Sequence, residues 1–226
     1  MKRERPILFA GAMVRAILAL LKRMTRRAVT RLVGFGEITE FDTSDTPGYA
    51  WTFRDKAGRL HDINHERLLE CCPYGQPGDR LWVRETWAYE IHALAASNEE
   101  LSGPWVYAAD GQRALRRRLC ERWHPSIHMF RAASRITLEI TGVRVERLHD
   151  ISEADAIAEG VERVDSVGGM KLRDGFAWWR AYGEEEHQSC ITAAASFRCL
   201  WTQINGRESW QANPWVWVVE FKRIGA

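Results

Sequence analysis

At 226 residues the chain is long enough to bury a full core. Hydrophobic residues make up 46% and charged residues 27%, which excludes disorder as the overall state. The formal net charge of +2 is too small to mark a nucleic-acid binder by itself, and the apolar stretch 16–21 is too short for a signal peptide or a membrane span.

In chain order, residues 7–9 predict a short strand. Residues 12–22 predict a helix with Met13, Ile17, Leu20 and Leu21 on its apolar side. Residues 50–54 and 59–63 flank a turn and predict a hairpin, and 80–83 predict a strand after the turn at 75–78. Residues 135–147 alternate as one long bent strand or as strand–turn–strand. Ser152 is a helix N-cap with Asp155 three residues on, and Gly160 stops that helix. Residues 193–204 predict a second helix ended by Asn205-Gly206, and 216–224 a last strand. Two weakly periodic stretches, 89–125 and 162–190, read as insertions. The expectation is a single α+β domain over 1–226, a small mixed β-barrel with flanking helices and two long loop insertions.

The run KRMTRR, residues 22–27, closes the first predicted helix. If the helix continues through it, Lys22, Thr25 and Arg26 share one face. An amine, a hydroxyl and a guanidinium together can grip a phosphate or a base, and a lysine of lowered pKa can take a proton from a hydroxyl. The bland alternative is a helix ending in solvated cations at the negative end of its dipole. Of the 11 tryptophans, Trp82 and Trp87 flank Arg84. Rings beside a cation form a platform on which bases stack, whereas most tryptophans fill cores. Basic residues cluster at 2–5, 22–31 and 113–122, including Arg116-Arg117-Arg118, and acid collects in Glu184-Glu185-Glu186.

The five cysteines, including the vicinal Cys71-Cys72, form no CxxC pair and suggest no disulfide framework, so a reducing cytoplasm is expected. Cys120, His124 and His128 recur every four residues, but Pro125 breaks the helix that would align them and no fourth ligand is near. No metal is expected, and the absence of a G-x-G-x-x-G, Walker A or H-E-x-x-H string leaves no cofactor expected either.

Four segments in this order resemble an ASCH domain of the PUA-like superfamily: ILALLKRMTRR (17–27), PGDRLWVRETW (77–87), ISEADAIAEGV (151–161) and WVWVVEFKRI (215–224). The run PSIHMFRAASRITLEITGVRVERL (125–148) further resembles the larger phage- and prophage-encoded members. The resemblance implies the PUA-like barrel, a bacterial host cytoplasm, and a nucleoside or single-stranded RNA as partner, with no membrane. It also implies an amidohydrolase that deacetylates N(4)-acetylcytidine, with Lys22, Thr25 and Glu159 as catalytic residues; a non-catalytic RNA-binding module or a ribonuclease is the alternative. Substrate would be held by Arg26, Arg84, Trp82 and Trp87. The family usually reads G-R-K-T-x-T-R where this chain has Leu20-Leu21-Lys22-Arg23-Met24-Thr25-Arg26. In such a site Thr25 is the nucleophile or orients water, Lys22 is its base, and Glu159 sets the charge state of the lysine. A salt bridge to Glu159 raises a lysine pKa, so burial must outweigh it, or Glu159 is itself the base.

Overall fold

A computed structural model of the chain describes residues 2–89, 105–111, 122–167, 170–171, 177–183 and 189–225. Its elements run β1 (Glu4–Leu8), α1 (Gly11–Leu18), β2 (Met24–Ala28), β3 (Arg31–Leu32), β4 (Gly36–Thr43), β5 (Trp51–Asp55), β6 (Leu60–Ile63), α2 (His65–Glu70) and β7 (Arg80–Arg84). They continue with β8 (Trp87–Tyr89), β9 (Trp105–Tyr107), β10 (Thr137–Arg147), α3 (Glu153–Ala158), β11 (Arg163–Val164), β12 (Ser166–Val167) and β13 (Met170–Lys171). The last are β14 (Trp178–Arg180), β15 (Ser189–Cys190), α4 (Ala193–Asn205), α5 (Arg207–Gln211) and β16 (Trp215–Ile224).

The α+β class holds, but the expected small barrel does not form among the described residues. The strands lie in separate open sheets, the largest ordered β1-β7-β10-β16-β2 with β1 and β2 at its edges. Residues 90–104 and 112–121 of the first expected insertion, with Cys120 and the Arg116-Arg117-Arg118 run, lie outside the described residues. So do 168–169, 172–176 and 184–188 of the second, with its acidic run. The described part of the second carries the small sheet β11-β14-β15 and the ladder β12-β13.

Two compact units divide the chain. The first comprises Met1–Leu20, Gly78–Glu139 and Lys222–Ala226. In it β1 runs parallel to β7, and β7 pairs antiparallel with the start of β10. Ile7, Val14, Ile17, Leu81, Val83, Ile136 and Leu138 are all buried, each contributing about 1.5–3 kcal/mol. Trp82 and Trp87 sit with Met129 and Ala133 in a second cluster, against which Tyr89, Trp105 and Tyr107 pack.

Helix α1 stops four residues short of its predicted end. The N–H of Leu20 bonds the Ile17 carbonyl at 3.0 Å, and Leu20 takes φ 59°. A left-handed residue closes a helix, at a cost of roughly 1 kcal/mol for a side chain with a Cβ. Glycine commonly fills this position.

The second unit comprises Leu21–Pro77 and Ile140–Phe221. Its β2 pairs antiparallel with β16 in the register Thr25↔Val219 and Arg26↔Val218. Residues 24–28 are therefore a strand, and Lys22, Thr25 and Arg26 do not share a helix face as predicted. Val216, Trp217, Val218 and Val219 are all 0% exposed, so this part of β16 is covered on both faces. Strands β3-β4-β5-β6 form an antiparallel meander that contains the predicted hairpin. Ser152 caps α3 by accepting from the Asp155 N–H at 3.1 Å, as its position predicts. Glu153 in turn accepts from the Ala193 and Ala194 N–H groups, so one carboxylate of α3 caps α4. Gly206, at φ 88°, ends α4.

Candidate active site

Seven polar or charged residues are buried in the described structure: Lys22, Thr25, Arg26, Asp55, Glu85, Glu159 and Ser196. Three of them, Lys22, Arg26 and Glu159, meet in the second unit. Glu159 is the C-cap of α3, so its carbonyl is one of the groups a helix end leaves without an internal partner. The Lys22 ammonium donates to that carbonyl at 2.8 Å and to Glu159 Oε2 at 2.6 Å. The Arg23 N–H satisfies the preceding carbonyl, Ala158, at 2.8 Å, and the Arg23 carbonyl accepts from the Phe221 N–H. The loop between α1 and β2 is thus tied to α3 on one side and to β16 on the other.

Arg26 extends from β2 into the same cluster, with its side chain 0% exposed. Its Nη1 donates to Glu159 Oε1 at 3.4 Å and to Met24 Sδ at 3.2 Å. Its Nε and Nη2 both donate to Glu146 Oε1, and Nη2 also donates to Asp155 Oδ2 at 2.6 Å. The Phe197 ring lies 5.9 Å from the guanidinium carbon. Arg144 forms an outer layer. It donates to Glu146 Oε2 at 3.0 Å, to the same Asp155 Oδ2 at 2.7 Å, and to Glu220. A Cβ on Gly142 would stand 3.0 Å from Glu220 Oε2, so a glycine there leaves room for that carboxylate.

Burial lowers the Lys22 pKa from its ordinary value, outweighing the pull of the Glu159 charge and hydrogen bond; Arg27 and Arg26 push in the same direction as burial. The competition left open by the sequence therefore falls to desolvation. A lysine so placed yields its proton more readily than one in water, the property a base requires.

Strand alternation puts Thr25 on the face opposite Met24 and Arg26, the side of its partner Val219. Thr25 is 4% exposed, and among the described residues no side-chain hydrogen bond holds its hydroxyl. The remaining sequence candidates belong to the first unit, where Trp82 is 8% and Trp87 3% exposed within the aromatic cluster. The Arg84 guanidinium carbon stands 4.7 Å from the centre of the Trp82 ring. Arg26, expected as a substrate contact, faces protein carboxylates instead.

Sequence reasoning missed Glu146, Arg144 and Glu220. The signal was present in part, since Arg144 and Glu146 are two apart on a strand and share a face. Asp155 was legible only as a helix-capping partner. An open depression of about 330 Å³ lined by Thr30, Arg31, Glu37, Ile38, Thr39 and Lys56 holds the solvent-exposed Lys56–Glu37 pair and offers no buried reactive group. Among the described residues no cluster of His, Cys, Asp or Glu is arranged to hold a metal, and no helix is long and apolar enough to cross a membrane. No disulfide joins Cys71, Cys72, Cys190 and Cys199. Compared with protein-family models, with curated proteins and with solved structures, the chain matches none.

Proposed function

We propose that the chain is an ASCH-type amidohydrolase acting on an N-acylated cytidine such as N(4)-acetylcytidine. The observation that carries this reading is the Lys22 amine, buried at the end of α3 between the carbonyl and carboxylate of Glu159, with its proton held less tightly than in water. The resemblance of LLKRMTR and ISEADAIAEGV to the family's site supports the substrate class. In this mechanism the neutral Lys22 amine takes a proton from a water beside it. The resulting hydroxide adds to the acyl carbonyl, the C–N bond breaks, and the Lys22 ammonium returns the proton to the departing cytidine nitrogen. The products are cytidine and the free acid, and Lys22 ends neutral as it began.

The test is to incubate the protein with N(4)-acetylcytidine and measure cytidine by chromatography. The wild type turns substrate over, and Lys22→Ala loses a factor of roughly 10²–10⁴, the usual contribution of a general base. No turnover by the wild type, or equal turnover by Lys22→Ala, overturns the reading. Salt-sensitive binding of single-stranded RNA without turnover replaces it with a non-catalytic module.

A further inference from the structure

Arg26 is too thoroughly engaged to greet a substrate. Its side chain is fully buried, and its donors go to Glu146, Asp155, Glu159 and Met24. The division of acceptors is informative. Glu159 gives Oε1 to Arg26 and Oε2 to Lys22, whereas Glu146 gives Oε1 to Arg26 and Oε2 to Arg144. Asp155 Oδ2 takes both guanidinium groups. Two planar forks and four carboxylates, Glu146, Asp155, Glu159 and Glu220, thus form one network, and Glu159 joins it to Lys22.

We propose that Arg26 is a positioning residue: anchored by Glu146 and Asp155, it holds the Glu159 carboxylate with Oε2 turned to the Lys22 amine. The role rests on the reading of Lys22 as the proton carrier. A guanidinium suits it because its rigid fork reaches acceptors on β10 and α3 at once, which the single ammonium of a lysine cannot do. Without the fork, Glu159 has one cation left to satisfy it. It closes fully on Lys22 and makes that amine keep its proton. The charged groups facing Lys22 are Glu159 from α3 and Arg26 and Arg27 from β2. Behind them stand Asp155 from α3, Glu146 and Arg144 from β10, and Glu220 from β16.

The decisive variant is Arg26→Lys, which keeps the charge and removes the fork. The chain has five lysines and Arg26→Lys has six, so labelling them with ¹³C at the ε carbon and titrating by NMR resolves Lys22, assigned in each background by the signal lost on adding Lys22→Arg. Positioning by the fork predicts that the Lys22 midpoint rises by about 1 pH unit in Arg26→Lys, a tenfold smaller neutral fraction near pH 7. The pH profile of turnover moves up by the same amount. A folded Arg26→Lys protein with the wild-type midpoint overturns the proposal, because charge alone then suffices. If Arg26→Lys does not fold, Asp155→Asn decides by the same measurement: it weakens the anchor while keeping the side-chain shape, and an unchanged or lowered Lys22 midpoint is again fatal. The titration needs no substrate. A shifted midpoint in a protein that hydrolyses no acylated cytidine overturns the proposed function and leaves the positioning role standing.

Discussion

Among the described residues a buried carboxylate meets a base in each unit, Glu85 with Arg135 and Glu159 with Lys22, and the two are built on opposite plans. Glu85 and Arg135 form a bidentate fork, with Nε to Oε1 at 2.9 Å and Nη2 to Oε2 at 3.0 Å. Asp110 takes Nη1 at 3.0 Å, and the Tyr107 ring lies 3.9 Å from the guanidinium carbon. Burial pushes the Glu85 pKa up, against the pull of Arg135. Arginine keeps its charge at every accessible pH, so the base of this pair does not titrate and its work is structural. In the other unit Lys22 meets Glu159 through a single side-chain contact and a helix-end carbonyl. Burial acts against charge there too, but a lysine can answer by losing its proton. The same desolvation thus yields a fixed staple in one place and a titratable group in the other.

Breaking each pair should separate the two roles. The largest effect is on chemistry: Lys22→Met should abolish turnover by the factor expected of Lys22→Ala, while Arg135→Met leaves the pH profile of turnover where it is. Arg135→Met should instead cost about 3 kcal/mol of stability, because it leaves the Glu85 charge buried without its fork. Chemical denaturation measures this loss. A cost below about 1 kcal/mol, the level of an exposed pair, would remove the structural half of the contrast.

The pH dependence of stability sharpens the comparison. A lysine whose folded pKa lies below its unfolded value binds fewer protons in the folded state within that interval, so stability rises with pH there. The penalty from Lys22 is present at neutral pH and disappears as pH rises toward the unfolded value of 10.5. Melting curves should show wild-type Tm gaining on Lys22→Met as pH rises to that point. A difference independent of pH contradicts the lowered Lys22 pKa.

Smaller effects test the frame around the site. Leu20→Gly should add up to about 1 kcal/mol, relieving the left-handed strain less the entropy glycine loses. A destabilised Leu20→Gly protein would mean that the leucine contributes more than its backbone costs. Smallest is Glu139, whose pKa is lowered to about 2 by hydrogen bonds to Lys222 and Lys2. Its contribution is present above the unfolded value near 4.5 and is lost as pH falls toward 2. Glu139→Gln should therefore lower Tm slightly at pH 7, and the difference should shrink as pH falls through 2.

The elements that were legible have local signals. Ser152 and Gly160 bracket α3, Gly206 ends α4, and alternation marks β10 and β16. The segment at 24–28 was not legible, because Leu20 closes α1 in a conformation leucine seldom adopts while the apolar helical pattern runs on past it. The candidate site was half legible. Lys22, Thr25 and Glu159 follow from motif and resemblance, but the Arg26 anchor joins residues 120 and 129 positions away in the chain, for which no local signal exists.

By itself the sequence determined the α+β class, the helix caps, the hairpin and the residue types available for proton chemistry, since each depends on neighbours within a few positions. Only the tertiary structure decided that the strands stay in open sheets and that Arg26 turns inward. It also decided that Lys22 is desolvated more strongly than Glu159 can compensate. Burial and long-range pairing are properties of the packed chain, and they decide whether a basic run remains a solvated edge or becomes a buried amine that can give up its proton.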